Sequence, residues 1–94
     1  MTIVGRFPTA GITTAQYANV RRVLEESGSW PADGCHVHVA FGDEDDLQVS
    51  EIWESREKLE AFGEQLGPVL AAVGIELAGA PEILEVHTLE VFES

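Results

Sequence analysis

The spacing of apolar and polar positions along the chain predicts six elements of secondary structure. Alternating apolar positions predict strands over residues 2–7, 34–41, 47–53 and 83–92. Apolar positions three and four residues apart predict two helices, which open at Thr13 and Ser55. This order of elements predicts an α+β fold of the ferredoxin-like βαββαβ type, an antiparallel sheet with both helices on one face. The 94 residues are expected to form a single domain, 1–94.

Both predicted helices carry recognisable ends. Thr13 and Gln16 form a capping box at the start of the first helix, and Ser55 is a natural N-cap for the second. Gly74 is expected to terminate the second helix, which Gly67-Pro68 should kink or divide into two. The predicted buried stripes are Tyr17, Val20 and Leu24 on the first helix and Leu59, Phe62, Leu66, Val69 or Leu70, and Val73 on the second.

The central hairpin is expected to turn through the acidic segment 42–46, which would pair Phe41 with Leu47. A slip of one residue would move the side chains of one strand to the opposite face. In the expected register the more apolar face meets the helices, and His36 and His38 lie on the other face. The predicted helix-facing side chains are Cys35, Val37, Val39, Phe41, Leu47, Val49, Glu51 and Trp53.

The last predicted strand is apolar on both faces, so the sheet face away from the helices should also be covered. Exposing such side chains to water would forgo roughly 1.5–3 kcal/mol each. A second copy of the chain is the simplest cover, because closed twofold dimers are the commonest oligomers. The apolar side chains are Ile83, Leu89 and Val91 on one face and Leu84, Val86 and Phe92 on the other.

The order of elements, the Trp53-Glu54-Ser55 step into the second helix and the apolar last strand together resemble the dimeric α/β-barrel superfamily. Within it, the chain is most similar to the antibiotic-biosynthesis-monooxygenase-like group. The resemblance implies a homodimer whose two sheets close into a barrel, often with a ligand pocket between sheet and helices. Members include cofactor-independent oxygenases of aromatic polyketides, cyclases, haem-degrading enzymes and proteins without known activity.

The resemblance also allows the haem-degrading branch to be tested. Those proteins use an asparagine on the first strand and a histidine on the second helix as iron ligand. Neither residue type occurs in the corresponding stretches, 2–7 and 56–73. Haem degradation is therefore not expected.

Glu51 is the first candidate for chemistry. A carboxylate held between Val37 and Trp53 would be partly desolvated, and such a group can act as a general base. The alternative is that Glu51 reaches water or pairs with Arg6 or Arg22 in a structural role.

The histidines are the second set of candidates. His36 or His38 would supply the base if the register of the hairpin differs from the expected one. A His-X-His pair with His87 as a third ligand could also suggest a metal site. No carboxylate accompanies the pair in register, so a polar layer inside the barrel is the favoured interpretation, with no metal and no cofactor. The predicted ligand-binding residues are Tyr17, Trp53, Phe62 and His87.

The charge of the chain limits the classes of partner that we expect it to bind. Seventeen acidic residues against five basic ones give a net charge of −12, and no basic patch occurs. Nucleic acid and anionic membranes are therefore not expected partners. The single cysteine, Cys35, cannot form an intrachain disulfide, and with the absence of a signal-like N-terminus it favours the cytoplasm. Cys35 is expected to be an inert thiol.

Two functions remain open from the sequence. The first is a dimeric barrel that binds a small apolar or aromatic molecule, and that, by resemblance, acts as a cofactor-independent monooxygenase or an acid–base cyclase or isomerase. The second is a non-catalytic binding or structural homodimer. A cavity lined by Tyr17, Glu51, Trp53 and Phe62 would favour the first.

Overall fold

A computed structural model describes residues 1–92, so residues 93 and 94 of the predicted domain lie outside the described range. Over these residues the chain forms four strands and two helices in the predicted order. The elements are β1 (Ile3–Ile12), α1 (Thr14–Glu26), β2 (Cys35–Asp43), β3 (Asp46–Trp53), α2 (Arg56–Val73) and β4 (Glu82–Glu85).

The strands form one antiparallel sheet in the order β2-β3-β1-β4. Both helices pack on the face that carries Ile3, Leu47 and Trp53, and the main core lies between them and this face. The predicted ferredoxin-like α+β fold is confirmed. Neither helix in the described part of the chain is long and apolar enough to cross a bilayer.

The predicted helix ends are confirmed in detail. Thr13 accepts a hydrogen bond from the backbone N–H of Gln16 while the Gln16 side chain accepts one from the backbone N–H of Thr13. Ser55 caps α2 by accepting from the N–H of Lys58 at 3.2 Å. Gly74 ends α2 in the left-handed region, with φ of 85°, which favours glycine.

Helix α2 and strand β1 both continue further than the sequence predicted. Helix α2 continues through Pro68, so the expected division into two helices is wrong. Pro68 lies on the exposed side of α2. Strand β1 continues past Pro8 to Ile12, with an irregularity in its pairing with β3 between Phe7 and Ile12.

The register of the hairpin also differs from the prediction. Asp43 pairs with Asp46, so the turn between them contains two residues, where five were expected. This shift of one places His38 opposite Glu51. Val37, Val39 and Phe41 consequently lie on the open face of the sheet, not against the helices.

A β-bulge at His36 restores the predicted pairing at the beginning of β2. The register shifts between Cys35 and Val37, and Cys35 again lies opposite Trp53. The prediction for β3 is confirmed, since Leu47, Glu51 and Trp53 are all buried on the helix-facing side.

Strand β4 is shorter than the predicted strand 83–92. It ends at Glu85 because its only neighbour, β1, begins at Ile3, and the last bond of the ladder runs from the N–H of Val86 to the carbonyl of Thr2. Residues 86–92 have no strand to pair with inside the described chain. Val91 and Phe92 are 74% and 84% exposed there.

Candidate functional site

Four side chains form a continuous chain of hydrogen bonds between the sheet and α1. The Trp53 indole Nε1 donates to Glu51 Oε1 at 3.0 Å. The other carboxylate oxygen, Oε2, lies 2.5 Å from His38 Nδ1. On the far side of the imidazole, Nε2 lies 2.7 Å from the hydroxyl of Tyr17. The site therefore links a buried carboxylate to a tyrosine through one histidine.

Local structure explains why these side chains meet. Glu51 and Trp53 are two residues apart on β3 and so share one face of the sheet. His38 is the direct antiparallel partner of Glu51, which brings their side chains within reach of each other. Tyr17 lies on the first turns of α1, which begins at the capping box of Thr13 and Gln16.

The buried carboxylate of Glu51 determines which nitrogen of neutral His38 carries the proton. Glu51 is only 4% exposed, and a buried charge is costly unless it is hydrogen-bonded. An ionised carboxylate only accepts hydrogen bonds, so both Trp53 and His38 donate to Glu51. The proton of neutral His38 is then on Nδ1, and Nε2 keeps a lone pair that accepts from the Tyr17 hydroxyl.

Aromatic rings hold the imidazole in place. The Tyr17 ring is stacked on His38 with centroids 5.9 Å apart, and Trp30 presents its edge to the same ring at 5.0 Å. Phe62 of α2 contacts both tryptophans, at 6.3 Å from Trp30 and 5.4 Å from Trp53. Two aromatic rings therefore pack against His38, and Phe62 supports one of them, Trp30.

A small, partly open cavity of about 80 Å³ adjoins this chain between the sheet and the two helices. Drug-sized ligands fill about 300–1,000 Å³, so the cavity suits a single ring or the inner end of a larger molecule. Its walls are almost entirely apolar, and His38, Glu51 and Tyr17 are among the residues that line it. The other lining residues are Phe7, Thr9, Ile12, Val20, Arg21, Leu24, Trp30, Val49, Phe62, Leu66, Leu70, Ile75 and Leu77.

Arg21 is also among the residues that line this cavity, and its side chain is 39% exposed. Its guanidinium carbon lies 4.3 Å from the centroid of the Trp30 ring, a cation–π distance. Arg21 Nε is 3.1 Å from a carboxylate oxygen of Glu25. The alignment is too poor for a hydrogen bond, and Nε, although buried, has no hydrogen-bond partner.

The structure brings together four of the predicted site residues: Tyr17, His38, Glu51 and Phe62 all line the cavity. Trp53 is completely buried behind Glu51 and contacts it without lining the cavity. Of the four side chains that were to discriminate between the two functions, Tyr17, Glu51 and Phe62 line a cavity and Trp53 does not.

The remaining two predicted residues lie elsewhere. His36 is exposed at the bulge of β2, and His87 is exposed beyond β4, with its Nδ1 2.9 Å from the hydroxyl of Thr88. The three histidines therefore do not converge. Within residues 1–92, no three His, Cys, Asp or Glu side chains are grouped as a metal site would need.

Sequence reasoning missed two residues of the site, Trp30 and Arg21. Arg21 lies one helical turn after Tyr17, so its spacing could have indicated that both share one face of α1. Trp30 lies in the loop between α1 and β2, where no periodicity predicts the direction of a side chain.

Cys35 lies beside the site without taking part in it. Burial, and to a smaller extent the charge of Glu51, raise the pKa of its thiol from 9.0 to about 11. The thiolate is the nucleophilic form of cysteine, so this shift supports the expected inert thiol.

Comparisons with known proteins identify solved structures that have a similar fold. No family model matches the chain, and no curated protein matches it. Among solved structures, a candidate antibiotic biosynthesis monooxygenase from Deinococcus radiodurans is 15% identical over all of both chains, with a TM-score of 0.57. Another from Caulobacter crescentus is 25% identical over 95% of this chain and 89% of its own, with a TM-score of 0.51.

A third similar structure is SnoaB from Streptomyces nogalater, a cofactor-independent oxygenase. It is 18% identical over 94% of this chain and 93% of its own, with a TM-score of 0.57. The resemblance inferred from the sequence is confirmed for the fold: the chain has the ferredoxin-like fold of the antibiotic-biosynthesis-monooxygenase-like proteins within the dimeric α/β-barrel superfamily.

Proposed function

We propose that the protein binds a small, electron-rich aromatic molecule in this cavity and that His38 acts on it as a general base. The observation that carries the proposal is the orientation of His38, whose Nδ1 is held by buried Glu51 while Nε2 is directed to Tyr17 at the cavity. The reaction class we favour is cofactor-independent oxygenation. An acid–base cyclisation or isomerisation would use the same groups.

Each member of the chain has a distinct role in this proposal. His38 Nε2 accepts the proton of the substrate, and Glu51 stabilises the imidazolium that forms. Trp53 holds the carboxylate in position through its indole N–H. The Tyr17 hydroxyl hydrogen-bonds to Nε2, and a substrate hydroxyl would take the place of this hydroxyl.

For a phenol, the oxygenation can be written in balanced steps. The phenol O–H bond breaks, its proton passes to His38, and the electron-rich phenolate reduces O₂ and combines with it at a ring carbon. His38 returns the proton to the resulting peroxide. Cleavage of the O–O bond then releases water together with the ring hydrogen, leaving a quinone. One O₂ is consumed and one water is formed for each phenol.

The test is oxygen consumption by the purified protein with a panel of one- and two-ring phenols in the presence of EDTA. We expect uptake of one O₂ per quinone formed, measured with an oxygen electrode and by ultraviolet absorbance. Native mass spectrometry of the purified protein should also detect aromatic molecules that remain bound. Absence of oxygen uptake with every phenol, together with absence of any bound small molecule, would overturn the proposal.

A specific observation favours the alternative of a non-catalytic protein. Tyr17 already satisfies His38 Nε2, and the cavity of about 80 Å³ is small. In that case the hydrogen-bond chain serves only to stabilise the packing of α1 on the sheet. Tyr17→Phe distinguishes the two functions: it should preserve ligand binding in the first, and only lower stability in the second.

We also propose that a second copy of the chain covers the open face of the sheet. Val37, Val39 and Phe41 are 38%, 45% and 42% exposed on this face, and Leu84 of β4, at the opposite edge of the sheet, is 49% exposed. The unpaired residues 86–92 add further apolar surface. A contiguous apolar area of this kind is typical of an association surface.

Val39→Glu tests this assembly, because it places a charge in the middle of the apolar face. We expect wild-type protein to sediment as a dimer and the variant as a monomer, measured by analytical ultracentrifugation at equal concentrations. Ala61→Glu, at an exposed position on α2, is the matched control and should remain dimeric. A monomeric wild type, or an unaffected Val39→Glu variant, would contradict the proposed dimer.

A further inference from the structure

Tyr17 is the only tyrosine in the chain, and its hydroxyl lies 2.7 Å from His38 Nε2. A phenolic hydroxyl is protonated at neutral pH, so it is the donor of this hydrogen bond. Because His38 Nδ1 donates to Glu51, Nε2 carries the lone pair that faces the hydroxyl. Tyr17 therefore has a proton acceptor held at hydrogen-bond distance.

The charges of this hydrogen-bond chain favour removal of one electron from Tyr17. In the resting state the chain carries a single negative charge on Glu51, which is only 4% exposed. One-electron oxidation makes a phenol a strong acid, so its proton would pass to His38. A neutral tyrosyl radical would then lie beside an imidazolium that is paired with Glu51. Since a buried charge is costly unless it is paired, the oxidised state gains what the resting state lacks.

The electron and the proton of Tyr17 leave by different routes. The hydroxyl is directed to His38, and the proton has to move only along one hydrogen bond of 2.7 Å. The rest of the side chain borders the cavity and is half-buried, so an oxidant does not have to reach the hydroxyl to receive the electron. The Tyr17 ring is also stacked on His38, which holds the donor and the acceptor together.

We propose that Tyr17 is a redox-active tyrosine that gives one electron to an oxygen-centred radical at the cavity. The radical is reduced to its anion, and the electron that it gains comes from the Tyr17 ring. The phenolic O–H bond breaks at the same time, and its proton goes to His38 Nε2. This activity goes beyond the proposed function, because it requires no deprotonation of a bound ligand.

The test replaces the natural radical by a one-electron oxidant of known strength, tris(bipyridyl)ruthenium(III), generated from the ruthenium(II) complex by a laser flash. We expect wild-type protein to form a tyrosyl radical, detected by transient absorbance and by electron paramagnetic resonance of frozen samples. Tyr17→Phe should lose this signal entirely, because no other tyrosine exists in the chain. The rate in wild-type protein should be lower in D₂O, because a proton moves with the electron.

His38→Gln tests the proton acceptor, since an amide can accept a hydrogen bond but cannot take up a proton near neutral pH. It should slow formation of the tyrosyl radical roughly tenfold or more, by the usual contribution of a positioned base. His36→Gln is the matched control with the same change of residue type, and it should react as the wild type does. Both variants keep the acidic net charge that attracts the cationic oxidant.

Glu51→Gln provides a second variant at a different position. Its amide can donate to His38 Nδ1, which places the imidazole proton on Nε2 and removes the acceptor for Tyr17. This variant should also form the radical more slowly, and circular dichroism verifies that each variant is folded.

The outcomes are independent of those for the proposed function, because no phenol is added. Radical formation at the wild-type rate in folded His38→Gln or Glu51→Gln overturns the inference. Equal rates in H₂O and D₂O for wild-type protein overturn it without any variant. Neither result affects ligand binding or oxygen uptake by the protein.

Discussion

Replacing His38 by glutamine is expected to lower the rate of phenol oxidation by roughly 10²–10⁴-fold, the usual contribution of a positioned general base. The amide occupies a similar volume and can still hydrogen-bond to Glu51, but it cannot accept a proton near neutral pH. Substrate binding should change far less than the rate, because the apolar walls remain. Steady-state oxygen uptake, which separates kcat from KM, is the measurement.

His36→Gln is the control for this prediction, since His36 lies two residues away on the same strand and is exposed. It should leave the rate unchanged. Glu51→Gln should also lower kcat, because an amide can donate to His38 Nδ1 and thereby favour the tautomer with its proton on Nε2. Equal losses in the His36 and His38 variants, or full activity of His38→Gln, would contradict the assignment.

Replacing Trp53 by alanine is expected to reduce the free energy of unfolding by about 3–5 kcal/mol. Trp53 is the largest completely buried side chain among the described residues, and it packs against Phe62. Its removal leaves a cavity and also deprives the buried Glu51 of a hydrogen-bond donor. Urea denaturation followed by circular dichroism, at one fixed protein concentration, measures the loss.

Trp53→Phe separates the two contributions. It retains much of the ring but removes the indole N–H, so we expect a smaller loss, of which about 1–3 kcal/mol comes from the unpaired Glu51 oxygen. Trp30→Ala, at a half-buried position, should also cost less than Trp53→Ala. A Trp53→Ala variant that denatures at the wild-type midpoint would show that this indole is not central to the core.

The sequence predicted much of the fold because that part depends on local chemistry. The caps at Thr13, Ser55 and Gly74 depend on a few neighbouring residues, and the buried stripes of α1 and α2 depend on helical spacing. The assignment of Glu51 and Trp53 to the helix-facing side needed only the alternation along β3. The family resemblance rests on these same local features.

The register of the hairpin could not be obtained in the same way. The usual argument places the more apolar side of a strand against the helices, and on β2 that side holds Val37, Val39 and Phe41. In this sheet the open face is apolar as well, so hydrophobicity does not distinguish the two faces. The two-residue turn and the bulge at His36 determine the register of the hairpin.

The observed register of the hairpin brings the residues of the candidate site together. The sequence by itself determined the six elements, the caps of both helices and the helix-facing side of β3, because short-range spacing encodes them. Only the tertiary structure decided that His38 is the partner of Glu51, and that Tyr17 and Trp30 pack against the His38 ring. These contacts join residues that are distant in sequence, and a shift of one residue in strand pairing is sufficient to make or remove them.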